Sequence, residues 1–482
     1  MRRLMLSLAV MGSAAFLMGQ GAPQATPAGG AAPAFWSWQE TPAMGWNSWD
    51  CFGAGVNEEQ TLANAMYMEK NLRSHGYNLI TVDIQWYEPQ AHTDQYRRGA
   101  VLEMDANGRL LPAGNRFPST AEAKSFKPLA DKVHAMGLTF GIHLMRGIPR
   151  QAVDRDNCPI LGTNFKAADI ADKVNVCRWN TDMYGVDMSK PGAQEYYDSV
   201  FALIASWEVD FVKVDDLSAP NYHEAEVTAI RKAIDKSGRK MALSTSPGET
   251  PLRSGEHVQN NANQWRISND FWDTWPALKE QFARLNNWTP YRGPGHFPDA
   301  DMLPVGAIRT WATRGAWTRF TQDEQVTLMT LWSIARSPLI IGGDMPKNDE
   351  FTLKILTNDE VLAVDQRSTN NKQVYRRDDL VAWVADEPGT SNKYVALFNA
   401  RLLPGEQARG RRGAATAPAS APATSQPVAA TVAVTAEELG VQGKIAGIRD
   451  LWAHKDLEVK EQWVSAELMP HCSAMFKIAV AK

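Results

Sequence analysis

From residue 41 to about residue 350 the chain alternates between two kinds of hydrophobic pattern. Short, nearly continuous apolar runs read as buried strands. Longer stretches with apolar residues three and four apart read as amphipathic helices. Strands are predicted at Thr41–Trp49, Leu79–Trp86, Thr139–Leu144, Phe211–Val214, Met241–Thr245, Gln264–Ile267, within 293–303, and at Leu339–Ile341. Helices are predicted between them: one opened by an Asn57/Gln60 capping box and closed by Gly76, then Phe126–Met136, a helix capped by Ser189 with Pro191 in its first turn, His223–Lys236, Asp273–Leu285 and Glu324–Ala335. Alternation of this kind, with most strands ending in polar or aromatic residues, predicts a (β/α)8 barrel over residues 41–360. A doubly wound open sheet is the competing arrangement, but no glycine-rich phosphate loop follows any strand.

The pattern changes after about Leu362. Lys372–Tyr375, Leu380–Trp383, Lys393–Leu397 and Ala474–Val480 are short β-type runs separated by turns, which predict a small antiparallel β domain, a β-sandwich, over 361–482. Residues 404–434 are rich in Ala, Pro, Thr and Ser and read as a disordered insertion in it.

At the other end, two arginines precede the apolar run Leu4–Met18, and small residues follow. That is the layout of a secretory signal peptide, assigned to 1–22, and the run is short for a membrane span. Residues 23–40 read as a disordered spacer. The mature chain is therefore expected to be exported, secreted or periplasmic, with no membrane contact of its own.

Composition narrows the chemistry. Hydrophobic residues make up 44% and charged residues 22%, ordinary for a globular protein, and the net charge of −4 supplies no basic surface for nucleic acid. None of the four cysteines has metal-ligand spacing, and Cys158 and Cys177 flank a loop in which a disulfide is conceivable. Several of the 17 tryptophans fall in predicted loops, where their rings suit the apolar faces of sugars.

Strand ends carry the candidate chemistry: Asp83/Trp86, Lys213/Asp215, Trp265/Arg266/Asp270 and Asp299/Asp301. In a barrel, strand ends distant in sequence converge on one mouth. Two carboxylates on different strands, with cations and tryptophans near, fit glycoside hydrolysis, in which one attacks or activates water and the other protonates the leaving oxygen. Lys213 interrupts an apolar strand, which is tolerated when it meets a carboxylate. Asp216 reads as a structural, capping neighbour, while Asp299 and Asp301 either order their loop or join the site. A second class remains open: Asp215, Asp216, Asp299 and Asp301 as ligands of a divalent cation in a barrel lyase or isomerase.

Met44-Gly-Trp-Asn-Ser-Trp49, Lys213-Val-Asp215, Trp265-Arg-Ile-Ser-Asn-Asp270 and Gly293-Pro-Gly-His-Phe-Pro-Asp-Ala-Asp-Met302 together resemble glycoside hydrolase family 27, the α-galactosidase family. The resemblance implies a carbohydrate substrate, no cofactor or metal, and a retaining mechanism through a covalent glycosyl-enzyme, with release of terminal α-galactosyl residues as the leading activity. It places Asp215 as nucleophile and Asp270 as acid/base, with Trp46, Asp83, Lys213 and Arg266 as sugar contacts; the strand-end position of His143 adds it as a contact, and Ser246, in the small segment ending the fifth strand, is a further candidate. Two departures bear on the sugar. Family α-galactosidases commonly carry a second acidic residue after the one matching Asp83, which helps hold the sugar's outer hydroxyls, and here it is Ile84. The Ser244–Glu249 segment is small where galactose-specific members often place bulkier residues, as in relatives that accept a 2-N-acetyl group. Activity on α-N-acetylgalactosaminides, β-L-arabinopyranosides or α-glucans by the same mechanism is the alternative.

Overall fold

The structure, a computed structural model, describes residues 32–155, 157–312, 315–403, 406 and 426–481. The segment assigned to a signal peptide lies outside the described residues, as does most of the 404–434 insertion.

Eight parallel strands form the first domain: β1 Met44–Asn47, β2 Leu79–Val82, β3 Thr139–Met145, β4 Phe211–Asp215, β5 Ala242–Thr245, β6 Gln264–Arg266, β7 Phe297–Asp299 and β8 Leu339–Ile341. β8 pairs with β1, and the order then runs consecutively to β7. A parallel bridge between Leu303, just beyond β7, and Ile341 on β8 brings the two edges together. The predicted (β/α)8 barrel is the observed one, and the seventh strand, which the pattern left unplaced within 293–303, is Phe297–Asp299.

Strand periodicity explains both faces of β4. Val212 and Val214 are fully buried against the helices outside, while Phe211, Lys213 and Asp215 turn inward. The barrel interior is layered. Leu79, Phe211, Ala242 and Ile340 pack with Met302 as an apolar floor, and Lys213, Ser244, Gln264, Arg266, Asp299 and Asp301 form the polar layer above it. Gly141 makes room for that floor, because a Cβ there would lie 2.8 Å from the Thr81 hydroxyl and 3.0 Å from the Phe211 ring.

The helices follow their sequence signals with one exception. Asn57 and Gln60 form the expected capping box on Glu58–Asn71, and Thr321 with Glu324 forms another on Gln322–Ala335. The exception is the helix assigned to a Ser189 cap. It spans Ala193–Ser206 with Gly192 at its N-cap, because the Ser189 hydroxyl and backbone N–H both donate to Asp187 instead.

Contrary to the expectation of disorder over 23–40, the described end of the spacer is structured. Ala34–Trp38 forms a 3-10 helix whose Phe35 is buried, whose Trp36 donates to the Gln259 carbonyl at 2.9 Å, and whose Phe35 and Trp38 rings lie under the Arg231 guanidinium. Its aromatic rings give this stretch apolar surface to bury against the barrel.

Helix Asp359–Arg367 still packs on the barrel helix Gln322–Ala335, so the β domain begins at Thr369 rather than 361. Its main sheet orders Thr369–Arg377, Leu380–Asp386, Lys393–Asn399, Ser473–Ala481, Lys444–Asp450 and Lys455–Leu457. A second sheet pairs Ala430–Thr435 with Trp463–Leu468, and Val432, Val434 and Val464 bury against the first sheet. The C-terminal end of the predicted insertion is therefore a strand. Thr327 donating to the His471 carbonyl and Trp452 donating to Thr330 tie the domains together. All four cysteines are free, so the Cys158–Cys177 pairing is not made.

Candidate active site

A cleft of about 530 Å³ opens among the C-terminal ends of the strands, bordered by Trp49, Asp83, Ile84, Tyr96, Trp179, Lys213, Asp215, Pro247, Gly248, Asn269, Asp270 and Met302 among others. Residues from the far ends of the barrel sequence thus meet at one mouth, as strand-end logic expects.

Lys213 and its carboxylates occupy the base of the cleft. Its Nζ lies 2.9 Å from Asp83 Oδ2 and 3.9 Å from Asp215 Oδ1. Asp83 is pinned from the β1 side, accepting from Asn47 Nδ2 at 2.7 Å, while its backbone N–H donates to Ser48 Oγ at 2.9 Å. Burial works against charge on Asp215, but Lys213 first and then His143, whose Nε2 is 3.2 Å from Asp215 Oδ2, outweigh it. The carboxylate is held well below its usual range, with the Ser246 hydroxyl assisting. The Lys213 ammonium is reciprocally stabilised: desolvation opposes it, but Asp215 and Asp83 raise its pKa overall.

Across the cleft, Arg266 serves two carboxylates. Its Nη2 is 2.7 Å from Asp301 Oδ2 and 3.2 Å from Asp270 Oδ1. Asp301 is almost wholly buried and also accepts from the Phe271 and Met302 backbone N–H groups, at 2.7 and 2.8 Å. Burial drives its pKa up to about 7; Arg266 resists, and Asp270 and Asp299 add to the rise. Asp270 is the open member, with a side chain 56% exposed.

The structure brings Asp83, Lys213, Asp215 and Asp270 to the cleft surface, but it places five other residues, Trp46, His143, Ser246, Arg266 and Asp216, away from it. Trp46 does not reach the cleft. It is fully buried, donates from Nε1 to the Gly343 carbonyl at 2.9 Å and packs edge-on to Phe52. Trp49, three residues on, takes the place expected of it. His143, Ser246 and Arg266 are buried and do not border the cleft; His143 Nε2 lies 3.2 Å from Asp215 Oδ2 and Arg266 Nη2 lies 3.2 Å from Asp270 Oδ1. Asp216 is not a cap. It turns away into an ion pair with Arg146 at 2.7 Å, and Arg146 also holds Glu226 at 2.7 Å. Without Asp216 the four-carboxylate cation site fails. Among the described residues, the group close enough to hold a metal is Asp131, His134 and Glu208, none of which borders the cleft.

Sequence reasoning also missed Tyr96. Its ring lies parallel to Trp49, with centroids 5.8 Å apart, and tilts against Trp179 at 5.5 Å. Burial first, then the charges of Asp215, Asp83 and Asp270, push its phenol well above the ordinary tyrosine value, so it stays protonated beside three carboxylates. Its loop carries no periodic pattern, and the Trp-rich composition was the one available hint.

A barrel whose mouth holds two carboxylates in contrasting environments, with cations behind each, is the arrangement of a glycosidase. Comparison with known proteins agrees. Residues 182–367 match the Alpha galactosidase A family and 377–478 the Alpha galactosidase C-terminal beta sandwich domain. The chain is 47% identical to a GH27 β-L-arabinopyranosidase from Geobacillus stearothermophilus solved with arabinose, over 94% of this chain and all of that one, with a TM-score of 0.86. It is 43% identical, with a TM-score of 0.78, to a Bacillus halodurans protein provisionally assigned as an α-N-acetylgalactosaminidase, over 91% of this chain and 97% of that one. An α-galactosidase of Oryza sativa subsp. japonica is 28% identical over 90% of this chain and 84% of its own length. The chain belongs to glycoside hydrolase family 27 and is a glycosidase that hydrolyses O-glycosyl bonds.

Proposed function

We propose that the enzyme releases a terminal galacto-configured pyranose with retention, and that the preferred residue is the pentose, a β-L-arabinopyranoside. The Asp215 carboxylate attacks the anomeric carbon as the C1–O bond breaks, and Asp270 gives its proton to the leaving oxygen. Asp270 then takes a proton from water, which attacks C1 and frees Asp215. Asp83 and Lys213 hold ring hydroxyls. Retention and these roles rest on the ionised, cation-held Asp215 facing an open Asp270 across one cleft.

Ile84 carries the choice of sugar. β-L-Arabinopyranose has the ring and hydroxyl configuration of α-D-galactopyranose without the hydroxymethyl group at C5. Ile84 borders the cleft beside Asp83 and offers no acceptor for that group's hydroxyl. An unpaired hydroxyl against an apolar side chain costs about 1–3 kcal/mol, roughly tenfold to a hundredfold in discrimination. The 47% identity to an arabinopyranosidase supports the same reading. α-Galactoside hydrolysis is the second reading, favoured by the two family matches. A 2-N-acetyl sugar is accommodated only if Pro247 and Gly248, which border the cleft, leave room for it.

Nitrophenyl β-L-arabinopyranoside, α-galactoside, α-N-acetylgalactosaminide and α-glucoside distinguish these. The arabinopyranoside is expected to have the highest kcat/KM, and Ile84→Asp is expected to shift the ratio toward α-galactoside by about tenfold or more. A wild-type preference for α-galactoside overturns the pentose reading while leaving the mechanism intact. We further propose export of the mature chain, on the residue pattern of 1–22; N-terminal sequencing of the protein from periplasm or medium tests it.

A further inference from the structure

The base of the cleft accounts for one sugar ring, but a wall of three aromatic rings rises beside it. Trp49 lies parallel to Tyr96 with centroids 5.8 Å apart, and Trp179 tilts onto the other end of the row at 45°. Trp179 is 37% exposed, whereas Asp83 and Ile84 are buried and Asp215 nearly so. Trp179 thus borders the same cleft as Asp83, Lys213 and Asp215 but is open to solvent where the two carboxylates are buried.

Trp179 is presented rather than loose. It sits between buried Cys177 and buried Asn180. Asn180 closes on Asp182 twice: its Nδ2 donates to Asp182 Oδ2 at 3.0 Å, and its Oδ1 accepts from the Asp182 N–H at 2.7 Å. Asp182 Oδ2 also accepts from Gln85 Nε2 at 2.6 Å and from the Tyr87 hydroxyl at 3.0 Å. Gln85 and Tyr87 directly follow Asp83 and Ile84. The loop bearing the exposed ring is therefore riveted to the strand end that bears the sugar-binding carboxylate. The Tyr96 loop is fastened too, with Arg97 paired to buried Glu88 at 2.5 Å and the Gly99 N–H donating to Thr181 at 3.4 Å.

We propose that Trp179, backed by Tyr96 and Trp49, forms a leaving-group subsite that stacks on the pyranose ring released when the terminal residue is cleaved, so that the natural substrates are di- or oligosaccharides rather than small alkyl glycosides. A fixed, half-open indole offers a flat apolar surface to the C–H face of a sugar at little entropic cost. Asp270, the group assigned to the leaving oxygen, borders the same cleft and is likewise exposed, as are Asn269 and Pro220, and the departing sugar leaves toward solvent. The inference rests on the reading of Asp215 and Asp270 as the groups flanking the scissile bond.

The test compares Trp179→Ala and Trp179→Phe with wild type on a disaccharide bearing the terminal arabinopyranosyl or galactosyl residue and on the matching glycosyl fluoride, whose leaving group has no ring. In Trp179→Ala the ratio of kcat/KM, disaccharide over fluoride, is expected to fall about tenfold, the effect of losing one buried apolar sugar face. Trp179→Phe should recover most of it. An unchanged ratio overturns the subsite, whether both rates hold or both fall together. A wild-type enzyme that fails to turn over either fluoride signals instead that the assignment of the terminal sugar and its two carboxylates is at fault. Loss of folding in the alanine variant leaves the phenylalanine variant to decide: its ratio must lie within about threefold of wild type while Trp179→Gln, of similar reach but with no aromatic face, falls below it.

Discussion

The two walls of the cleft use the same residue type to opposite ends. On one, Asp215 is nearly buried beside the Lys213 ammonium, with His143 Nε2 3.2 Å away, and its carboxyl is held below the usual range even out of water. On the other, Asp270 is more than half exposed and shares its one cation, Arg266, with the buried Asp301. A nucleophile must be anionic and preorganised, whereas an acid/base must exchange its proton with water within each turnover. In the proposed mechanism, environment rather than residue identity separates the two roles.

Replacing Asp215 by Ala should give the largest effect, a fall in kcat of about 10⁴-fold or more, partly restored by azide acting as an external nucleophile. Wild-type rates in that variant would collapse the distinction between the walls. Asp270→Ala should cost less, about 10²- to 10³-fold on a disaccharide, and much less on a glycosyl fluoride, which needs little protonation to leave. An equal loss on both substrates would place Asp270 outside the acid role.

Lys213→Met probes the electrostatics of the first wall. In the proposed mechanism Asp215 works as the anion; burial opposes that charge, and Lys213, His143 and the Ser246 hydroxyl together bring its pKa below the ordinary value. Removing Lys213 lets burial prevail and raises that pKa, so the acid limb of kcat/KM should move to higher pH by about one unit or more, with a rate loss of about tenfold or greater near neutrality. A pH profile superimposable on wild type would show that Lys213 binds sugar without tuning Asp215. EDTA is expected to have no effect on rate, because Asp216 is committed to Arg146 and no four-carboxylate set exists among the described residues. Activity lost to the chelator and regained with a divalent cation would revive the metal reading.

The barrel was readable because strand and helix periods are local and eight alternations leave few architectures. The weak points were also physical. β7 is three residues with a central proline, Phe297-Pro298-Asp299, too short to show a period. The Ala430–Thr435 strand adjoins a low-complexity tract that masks its alternation, Val432 and Val434 inward. Ser189 and Asp216 failed as caps because long-range or neighbouring partners, Arg146 and Asp187, offered their groups better hydrogen bonds than a helix end did.

At the site, residue types and strand ends pointed to Asp83, Lys213, Asp215 and Asp270, since charge at the end of an apolar strand has few bland explanations. Depth within the cleft was not legible. Trp46 and Trp49 belong to one motif and differ by three positions, yet one fills the core and the other borders the cleft, because β1 ends between them at Asn47. His143, Ser246 and Arg266 sit in the right layer but behind the carboxylates they serve. Tyr96 and Trp179 come from loops whose meeting depends on long-range contacts such as those of Gln85 with Asp182 and Gly99 with Thr181. By itself, then, the sequence determined the architecture and the glycosidase class and named two candidate carboxylates, all from short-range patterns. Only the tertiary structure decided which groups border the cleft and which stand behind its lining, because burial and ion pairing are set by residues far apart along the chain.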